Sequence, residues 1–482
     1  MSRRKLTQAA AVPNSQREPV RNGDVFRKLT DWLVPAELFK HDRFHGNVKW
    51  KPEQLVTQAL IWAWQETRHI TDAFHHTREA CDDLGLTETA VTYTAFMNAL
   101  HRYSETIQDR LRDQVQKLAE QVGGDWFRTR GWVLIGFDGS RATAPRTISN
   151  ERAFCAPNYG KGKRAKYGKK KSQGLRRQRN QENPPQPQAP QAWITMMWHM
   201  SLRLPWTWRL GPSHSSERSH VSDMLQHEAF PDQTLFCGDA GFVGYPLWNA
   251  IVNESGQDFV VRVGANVSLL SEQAHVQECG GGEVLCWPKD RQQSGDPPLR
   301  LRLVQVTVGK TKMWLLTSVL DAKRLPKKDL VKIYRMRWGL EVEFRGLKQT
   351  IDKHTLRCRN SDRLLVELDW SLRAMAVAEL LALREQLAGA DEDYVPEDRS
   401  LANTLRALRK CLRRLPRVPD EDDDLLTSLS EALVQRYRNG TDKRSRYRRQ
   451  NPDKKPLGDP VVTPLTSDQI SQLRKHDQNA AA

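Results

Sequence analysis

The sequence predicts an α/β core, a mixed sheet flanked by helices, together with a β-strand insertion, an all-α region before it and a helical tail after it. Two short apolar runs, 132–137 and 234–237, lead into an aspartate that lies beside glycine. Runs of this kind are typical of strands that are buried on both faces. From 333 to 351, apolar residues recur every three or four positions. This third pattern predicts a helix with one buried face.

Composition indicates a polyanionic partner. The 482 residues contain 75 Lys and Arg against 58 Asp and Glu, which gives a net charge of +17. Nucleic acid is favoured over a membrane, because no apolar run reaches the roughly 18 to 20 residues that span a bilayer. The basic, polar N-terminus lacks the apolar segment of a signal peptide. Seven cysteines with no CxxC spacing indicate reduced thiols, and we expect a cytoplasmic protein.

The N-terminal quarter is predicted to be helical. Residues 1–24 are polar, and we expect them to be flexible. In 25–125, apolar residues such as Leu29, Leu60 and Leu100 recur at helical spacing among charged ones. We interpret this segment as an independent helical domain.

The first strand of the core is predicted to end at Asp138. Residues 126–264 form the first part of the core, and the carboxyl end of a strand is where open α/β sheets place their sites. The alternative is an ordinary turn-forming Asp-Gly pair.

A long loop, 146–191, interrupts this part of the core. Ten Lys or Arg residues and no acid lie between Lys161 and Arg179, and a proline-rich stretch follows. No packed core can form from such a sequence. We expect contacts with DNA phosphates, with Lys169, Lys170 and Lys171 as candidates. The alternative is a solvated insertion without a specific role.

A second carboxylate, Asp239, follows the apolar run 234–237, and 258–263 is predicted to be the next strand. Residues 265–322 are strand-like and separated by turn residues, which predicts the β-strand insertion. Residues 323–390 complete the core and include the 333–351 helix. Residues 391–482 form a helical and basic tail.

The 333–351 helix carries a second stripe, made of Tyr334, Arg337, Glu341 and Lys348. Offsets of three, seven and fourteen place all four within an arc of about 60° on a regular helix. The plain alternative is a solvated face with an Arg337–Glu341 ion pair worth a few tenths of a kcal/mol. Arg, Lys and Tyr around one carboxylate favour phosphate binding instead.

The spacing Tyr334-x2-Arg337-x3-Glu341-x6-Lys348 resembles the YREK motif of the IS-four family of bacterial insertion-sequence transposases. These are cut-and-paste enzymes with an RNase H-like DDE catalytic domain. The resemblance implies an RNase H-like core in which Asp138, Asp239 and Glu341 are catalytic. It also implies that the helical domain recognises the transposon end.

The family inserts β strands between the second Asp and the Glu. In hairpin-forming members, an apolar residue there takes the space of a base flipped from the DNA. The resemblance puts Met313 at that position and Trp314 beside it, on the opposite face of a strand. The alternative is that both residues simply pack in the core of the insertion.

Three carboxylates make an oxygen-only site that suits Mg²⁺, with Mn²⁺ as a substitute, and not zinc. Two ions about 4 Å apart would serve in-line attack on a phosphodiester. Asp138 would bridge both, and Asp239 and Glu341 would each hold one. By resemblance, Tyr334, Arg337 and Lys348 would grip phosphates near the cleaved end. We expect Trp338 to pack against the sheet in preference to DNA.

By resemblance, the reaction comprises nicking at the element's end, hairpin formation, reopening and strand transfer. The expected partners are double-stranded DNA, as transposon ends and target, and a second copy of the chain in a synaptic complex. The expected location is the bacterial cytoplasm, in association with the nucleoid. Two alternatives stay open: an inactive or domesticated transposase that only binds DNA, and another RNase H-like nuclease.

Overall fold

The computed structural model describes residues 20–156, 189–273, 275–308, 311–389, 394–419, 424–434 and 457–481. The predicted DNA contacts Lys169, Lys170 and Lys171, with most of the basic loop, lie outside the described residues. In the described part of the chain, no helix is long and apolar enough to cross a membrane.

Fifteen α-helices are seen in the described residues. In chain order they are α1 Asn22–Leu33, α2 Pro52–Trp64, α3 Ile70–Asp83, α4 Tyr93–Arg102, α5 Ser104–Gly123, α6 Ile148–Phe154, α7 Glu217–His227, α8 Tyr245–Asn249, α9 Lys289–Ser294, α10 Lys327–Met336, α11 Gly339–Arg345, α12 Ser361–Ala388, α13 Leu401–Leu412, α14 Leu425–Ser430 and α15 Ser467–Ala481. Short π-helical segments, Ala250–Glu254 and Gly346–Thr350, extend α8 and α11.

The strands form a single ten-stranded sheet in the described part of the chain. They are β1 Val133–Thr143, β2 Gln191–His199, β3 Leu204–Gly211, β4 Thr234–Gly238, β5 Asp258–Val263, β6 Ser268–Ser271, β7 Gly281–Cys286, β8 Leu299–Val308, β9 Thr311–Thr317 and β10 Val461–Pro464. Their order across the sheet is β10-β6-β7-β8-β9-β5-β4-β1-β2-β3.

One half of this sheet has the arrangement expected for the core. Strands β1, β2 and β3 form an antiparallel meander, and β4 and β5 then add in parallel on the other side of β1. The resulting order, β3-β2-β1-β4-β5 with helices packed against it, is that of an RNase H-like core. The predicted α/β fold class is therefore confirmed.

The strands of the predicted insertion extend the same sheet. β9 pairs antiparallel with β5, and β8, β7 and β6 follow in antiparallel order. In the tail, β10 adds in parallel to β6, which the sequence did not predict. The strands of the insertion could be predicted from the sequence because short spans rich in turn residues separate them.

Helix α12 is the centre of the helical layer. Twenty of its 28 residues are buried on all sides, as expected of a helix inside a core. Asn360 caps its first turn by accepting hydrogen bonds from the N–H groups of Asp362 and Arg363.

The first five helices pack around α12, and they do not form the independent domain that we expected. Trp64 Nε1 donates to the carbonyl of Ala374 (2.9 Å), and Arg373 Nη1 donates to the carbonyl of Gln108 (2.9 Å). Their apolar side chains join one continuous core with the sheet. Apolar spacing showed that these helices would bury a face, but it does not specify the partner of that face.

A buried histidine at the end of β2 makes the stability of the fold depend on pH. His199 is fully buried, its Nδ1 accepts the N–H of Leu202 (3.1 Å), and its Nε2 has no partner. Burial lowers the pKa of His199 from 6.5 to about 3. The unfolded chain therefore binds a proton here that the folded chain does not, and stability falls as pH drops below 6.5.

We expect this group to remove about 2 kcal/mol of stability between pH 7 and pH 5. Urea unfolding at both pH values would measure the loss, which should be smaller in His199→Gln. The exposed His214→Gln is the control and should behave as the intact chain. Equal pH dependence in all three proteins would contradict the assignment.

Candidate active site

Asp138 lies within β1, not at its end as predicted. β1 continues to Thr143 because it stays paired with β2 as far as Thr143 and Gln191. On its other side the parallel pairing with β4 stops at Gly136 and Cys237. The edge of the sheet therefore falls at the end of β4, and β1 carries Asp138 just past it.

Asp239 directly follows β4, at the carboxyl end that the sequence predicted. Its Oδ1 accepts the N–H of Gly241 (2.7 Å), which fixes the turn after the strand. Since β1 and β4 are adjacent and parallel, both aspartates lie at the same edge of the sheet.

The predicted 333–351 helix is interrupted. α10 ends at Met336, Arg337 and Trp338 form a turn, and α11 begins at Gly339. Any Cβ at Gly339 would overlap the ring of Trp198 in β2, so the backbone approaches the sheet closely here. The predicted buried stripe is confirmed, with Ile333, Leu340 and Leu347 at 1% exposure or less.

Helix α11 brings Glu341 to the same edge. Leu340 lies over Gly136, where a Cβ would be 3.2 Å from its Cδ1. Asp138 is two residues further along β1 and therefore projects from the same face as Gly136. Contact of α11 with β1 thus places the residue after Leu340 beside Asp138.

Arg337 connects the two elements. Its Nη1 is 3.2 Å from Asp138 Oδ2, and its Nη2 is 3.8 Å from Glu341 Oε1. Its guanidinium also lies 5.6 Å from the ring centre of the buried Tyr334. The structure therefore brings together Asp138, Asp239, Glu341, Arg337 and Tyr334.

The electrostatics of the site are those of a crowded acidic cluster. Burial raises the pKa of Asp138, and the charges of Asp239 and Glu341 raise it further. The N–H of Gly139 (2.8 Å) and Arg337 act in the opposite direction. Burial also raises the pKa of the Tyr334 hydroxyl.

Sequence reasoning missed a fourth carboxylate, Glu217. It is the first residue of α7, and a Cβ at Gly139 would overlap its side chain. Its pKa is raised by burial and then by Asp138 and Asp239, so it faces the same cluster. In the sequence, Glu217 is only an acidic residue in the first turn of a predicted helix. Acidic residues are common at that position, so the sequence did not single it out.

The remaining predicted residues lie apart from the cluster. Lys348 is half-buried in the Gly346–Thr350 segment, and burial lowers its pKa. No ion pair joins it to the three carboxylates in the described part of the chain.

Met313, predicted to take the space of a flipped base, and its neighbour Trp314 lie on β9. Trp314 is 3% exposed, and its Nε1 donates to Asp459 Oδ1 (2.8 Å). It therefore packs inside the protein, which agrees with the alternative interpretation that it is a core residue of the insertion. Met313 is only half-buried.

Trp338 is not packed against the sheet, and that expectation was wrong. It is 58% exposed, and on a helix it lies about 200° around the axis from the buried Leu340, two residues further on. An exposed indole next to the acidic cluster is available to a ligand.

The oxygen donors suit a hard divalent cation. Among the described residues, no group of three or more His, Cys, Asp or Glu side chains is arranged closely enough to hold a metal ion. The guanidinium of Arg337 lies between Asp138 and Glu341, so the carboxylates are gathered at one edge without forming a compact ligand set.

The candidate site thus consists of three carboxylates at the edge of an RNase H-like core, brought together by β1, β4 and a following helix. A model of the transposase DDE domain matches residues 199–377, which include Asp239 and Glu341. A curated relative, the transposase InsG for insertion sequence element IS4 of Escherichia coli (strain K12), is 24% identical over 309 residues. The chain is thus similar to the transposase DDE domain over residues 199–377 and to an IS4 transposase over 309 residues.

The match to InsG covers 61% of this chain and 63% of the relative, so the chain spans just under two thirds of that relative's length. Among solved structures, the chain is similar to the cryo-EM structure of the piggyBac transposase synaptic complex with hairpin DNA. There the identity is 12%, the TM-score is 0.38, and the match covers 88% of this chain and 85% of the other.

Proposed function

We propose that this chain is the transposase of an insertion sequence, which binds the element's ends and cleaves and joins DNA strands there. The observation that carries the proposal is the meeting of Asp138, Asp239 and Glu341 at one edge of an RNase H-like core in a chain matched by the transposase DDE domain. The substrate is double-stranded DNA, as element ends and target, in the bacterial cytoplasm. A chain charge of +17 suits that partner.

The three carboxylates would hold the divalent metal that a DDE domain implies. We propose Mg²⁺, with Mn²⁺ as a substitute, and Asp138, Asp239 and Glu341 as the residues that would hold it. When bound, the ions would activate a water or 3′ hydroxyl and stabilise the leaving oxygen of the phosphodiester. Glu217, whose pKa is raised by burial and by the charge of Asp138, would stay outside this set and add to its negative field.

Arg337 and Tyr334 orient the DNA in this proposal. A guanidinium binds a phosphate through two parallel hydrogen bonds, and Arg337 is held in place over Tyr334. Arg337 can exchange its carboxylate contacts for a phosphate when DNA arrives, because both contacts are long, at 3.2 and 3.8 Å. Lys348 would add a point charge further along the same segment.

Two finer features extend the proposal. Hairpin formation needs a base to be displaced, and the half-buried Met313 is the residue we assign to that space. Cleaving two ends together needs two active sites, so we propose a homodimer on DNA. The helices α1 to α5 would contribute to recognition of the element's end, although none of them is assigned as a recognition helix.

The proposal is tested with a labelled DNA fragment that carries the terminal sequences flanking this reading frame. The expected result is cleavage at the terminus in Mg²⁺ and none in EDTA. Binding of the fragment without cleavage in Mg²⁺ or Mn²⁺ would favour a DNA-binding protein that is no longer catalytic. Cleavage of RNA or of unrelated junctions in preference to the terminus would favour another RNase H-like nuclease.

Trp338→Ala should weaken DNA binding without weakening the fold. An exposed indole beside the cluster can stack on an unpaired base, an interaction worth about 1 to 3 kcal/mol. The free energy of unfolding should change by no more than about 0.5 kcal/mol, since few contacts are lost. Binding to a duplex with a frayed end would be measured beside Trp126→Ala, a second exposed tryptophan, at 39% exposure. Equal affinity of both variants would contradict the stacking role.

A further inference from the structure

Helix α4 buries one face and exposes another that carries no acidic side chain. Its buried residues are Phe96, Met97, Ala99 and Leu100. Five exposed residues fall within an arc of about 120° on the opposite side of a regular helix. They are Thr94, Ala95, Asn98, His101 and Arg102, and we refer to them as the α4 face.

This lack of acid distinguishes α4 from the other helices that precede the core, all of whose residues the structure describes. Helix α2 has no exposed residue. Exposed acids lie on α1 (Asp24 and Asp31), on α3 (from Asp72 to Asp83) and on α5 (from Glu105 to Glu120). Carboxylates repel the phosphates of a nucleic acid. Of the five helices, α4 is therefore the one whose exposed face suits a polyanion.

Part of the α4 face, together with residues 45–50, lines an open groove of about 570 Å³. Its cations are Lys49 and Arg102, its amides are Asn47 and Asn98, and no Asp or Glu is among the described residues that line it. In the described part of the chain, Lys49, Asn98 and Arg102 take part in no ion pair and no side-chain hydrogen bond. Their donor groups are therefore free to bind a ligand that offers acceptor atoms.

Helix α4 has a fixed position next to the segment between α11 and α12. The ring of Phe96 meets that of Trp62 in α2 edge-on, with ring centres 5.5 Å apart. At the start of the helix, the Tyr93 hydroxyl is 3.8 Å from Cys358 Sγ. Cys358 is itself held, since its N–H donates to the buried Glu367 of α12 (2.9 Å). A helix supported in this way can read bases at a set distance from the cleaved bond.

We propose that α4 enters the major groove of the element's terminal duplex and reads bases there through Asn98 and Arg102. The proposal rests on the function proposed above. An α-helix fits the major groove, where Asn pairs with adenine and Arg with guanine through two hydrogen bonds each. The two residues are four apart, about 6 Å along the helix, which matches neighbouring base pairs about 3.4 Å apart. The small Thr94 and Ala95 allow the helix to approach the base edges, and Lys49 meets a phosphate.

The test is the preference of the full-length chain for the terminal duplex over a duplex with the same bases in scrambled order. Fluorescence anisotropy at several salt concentrations would measure both affinities. Asn98→Ala removes a proposed base contact, and Gln121→Ala, which removes an exposed amide from α5, is its control. Lys49→Gln removes a proposed phosphate contact, and Lys117→Gln, also exposed on α5, is its control. All four side chains are exposed, so the variants should fold as the intact chain does.

Asn98→Ala should reduce the preference for the terminal duplex about tenfold and leave the affinity for the scrambled duplex unchanged. Lys49→Gln should weaken binding to both duplexes equally and lower the slope of log affinity against log salt by about 1. Both controls should match the intact chain.

An unchanged preference in Asn98→Ala, while the intact chain still cleaves the terminus, would overturn the role of α4 and leave the proposed function standing. An intact chain that binds both duplexes equally would also overturn it. A reduced preference in Asn98→Ala, in a protein that never cleaves the terminus, would support the role of α4 and count against the transposase function.

Discussion

Glu341→Gln should abolish cleavage of the terminal fragment and leave DNA binding almost unchanged. The substitution keeps the shape of a side chain that is 40% exposed, and it removes one negative charge from the proposed metal ligands. We expect the cleavage rate to fall on the order of 10³-fold or more, as for groups that act as a unit. Affinity should stay within about threefold, since Arg337 and Lys348, the proposed phosphate contacts, remain.

The control is Glu283→Gln, an exposed carboxylate on β7. Cleavage and binding would be measured on the same labelled fragment, and circular dichroism would verify that each variant is folded. Cleavage by Glu341→Gln at even a tenth of the intact rate would remove Glu341 from the proposed site.

Lys353→Met should destabilise the protein by about 3 to 5 kcal/mol, because it leaves a buried charge unpaired. Glu367 is fully buried, and its Oε1 accepts a hydrogen bond from Lys353 Nζ (2.8 Å). Its Oε2 accepts the N–H groups of Arg357 and Cys358, each at 2.9 Å. These contacts join the segment after Lys348 to α12.

The same segment also closes the end of the strand that carries Asp138. Thr143 donates its N–H to the carbonyl of His354 (2.9 Å), and Leu356 donates to the carbonyl of Thr143 (2.8 Å). Loss of the Lys353–Glu367 pair should therefore loosen β1 as well as α12. Hydrogen exchange at Thr143 would report this loosening.

The sign of the pH dependence follows from Glu367. Burial alone would raise its pKa, but Lys353 and the two N–H groups lower it below the usual 4.5. The pair thus stabilises the fold fully above about pH 4.5 and loses its effect as pH falls through the lower, folded value. The destabilisation in Lys353→Met should be greatest near neutral pH and should shrink in acid.

Urea unfolding of Lys353→Met, Lys353→Met/Glu367→Gln and the exposed Lys332→Met would test this. The double variant should recover much of the loss, since no charge is then buried alone, and Lys332→Met should resemble the intact chain. A loss below about 1 kcal/mol in Lys353→Met would contradict the account.

The sequence was most informative where a pattern has a single physical reading. Buried strands need apolar side chains on both faces, so the strands at 132–137, 234–237 and 258–263 were predicted correctly. The buried stripe of 333–351 was also predicted correctly, because a helix that packs on a core needs apolar side chains on one face. The position of Asp239 followed from its strand.

The features that sequence did not predict depend on contacts between distant residues. The break before α11 arises where Gly339 meets Trp198, and local spacing contains no information about that contact. It changes the geometry of the Tyr334, Arg337 and Glu341 stripe. The strand β1 passes Asp138 because β2 continues beside it, which only the sheet register reveals.

The most direct test of the central claim is a titration of Mn²⁺ into the protein bound to an uncut terminal fragment, followed by electron paramagnetic resonance. The claim is that Asp138, Asp239 and Glu341 form one metal-binding site. It predicts that the intact complex binds two ions, and that Asp138→Asn and Glu341→Gln each lose at least one while still binding DNA. Equal Mn²⁺ binding by the intact complex and by Asp138→Asn would contradict it.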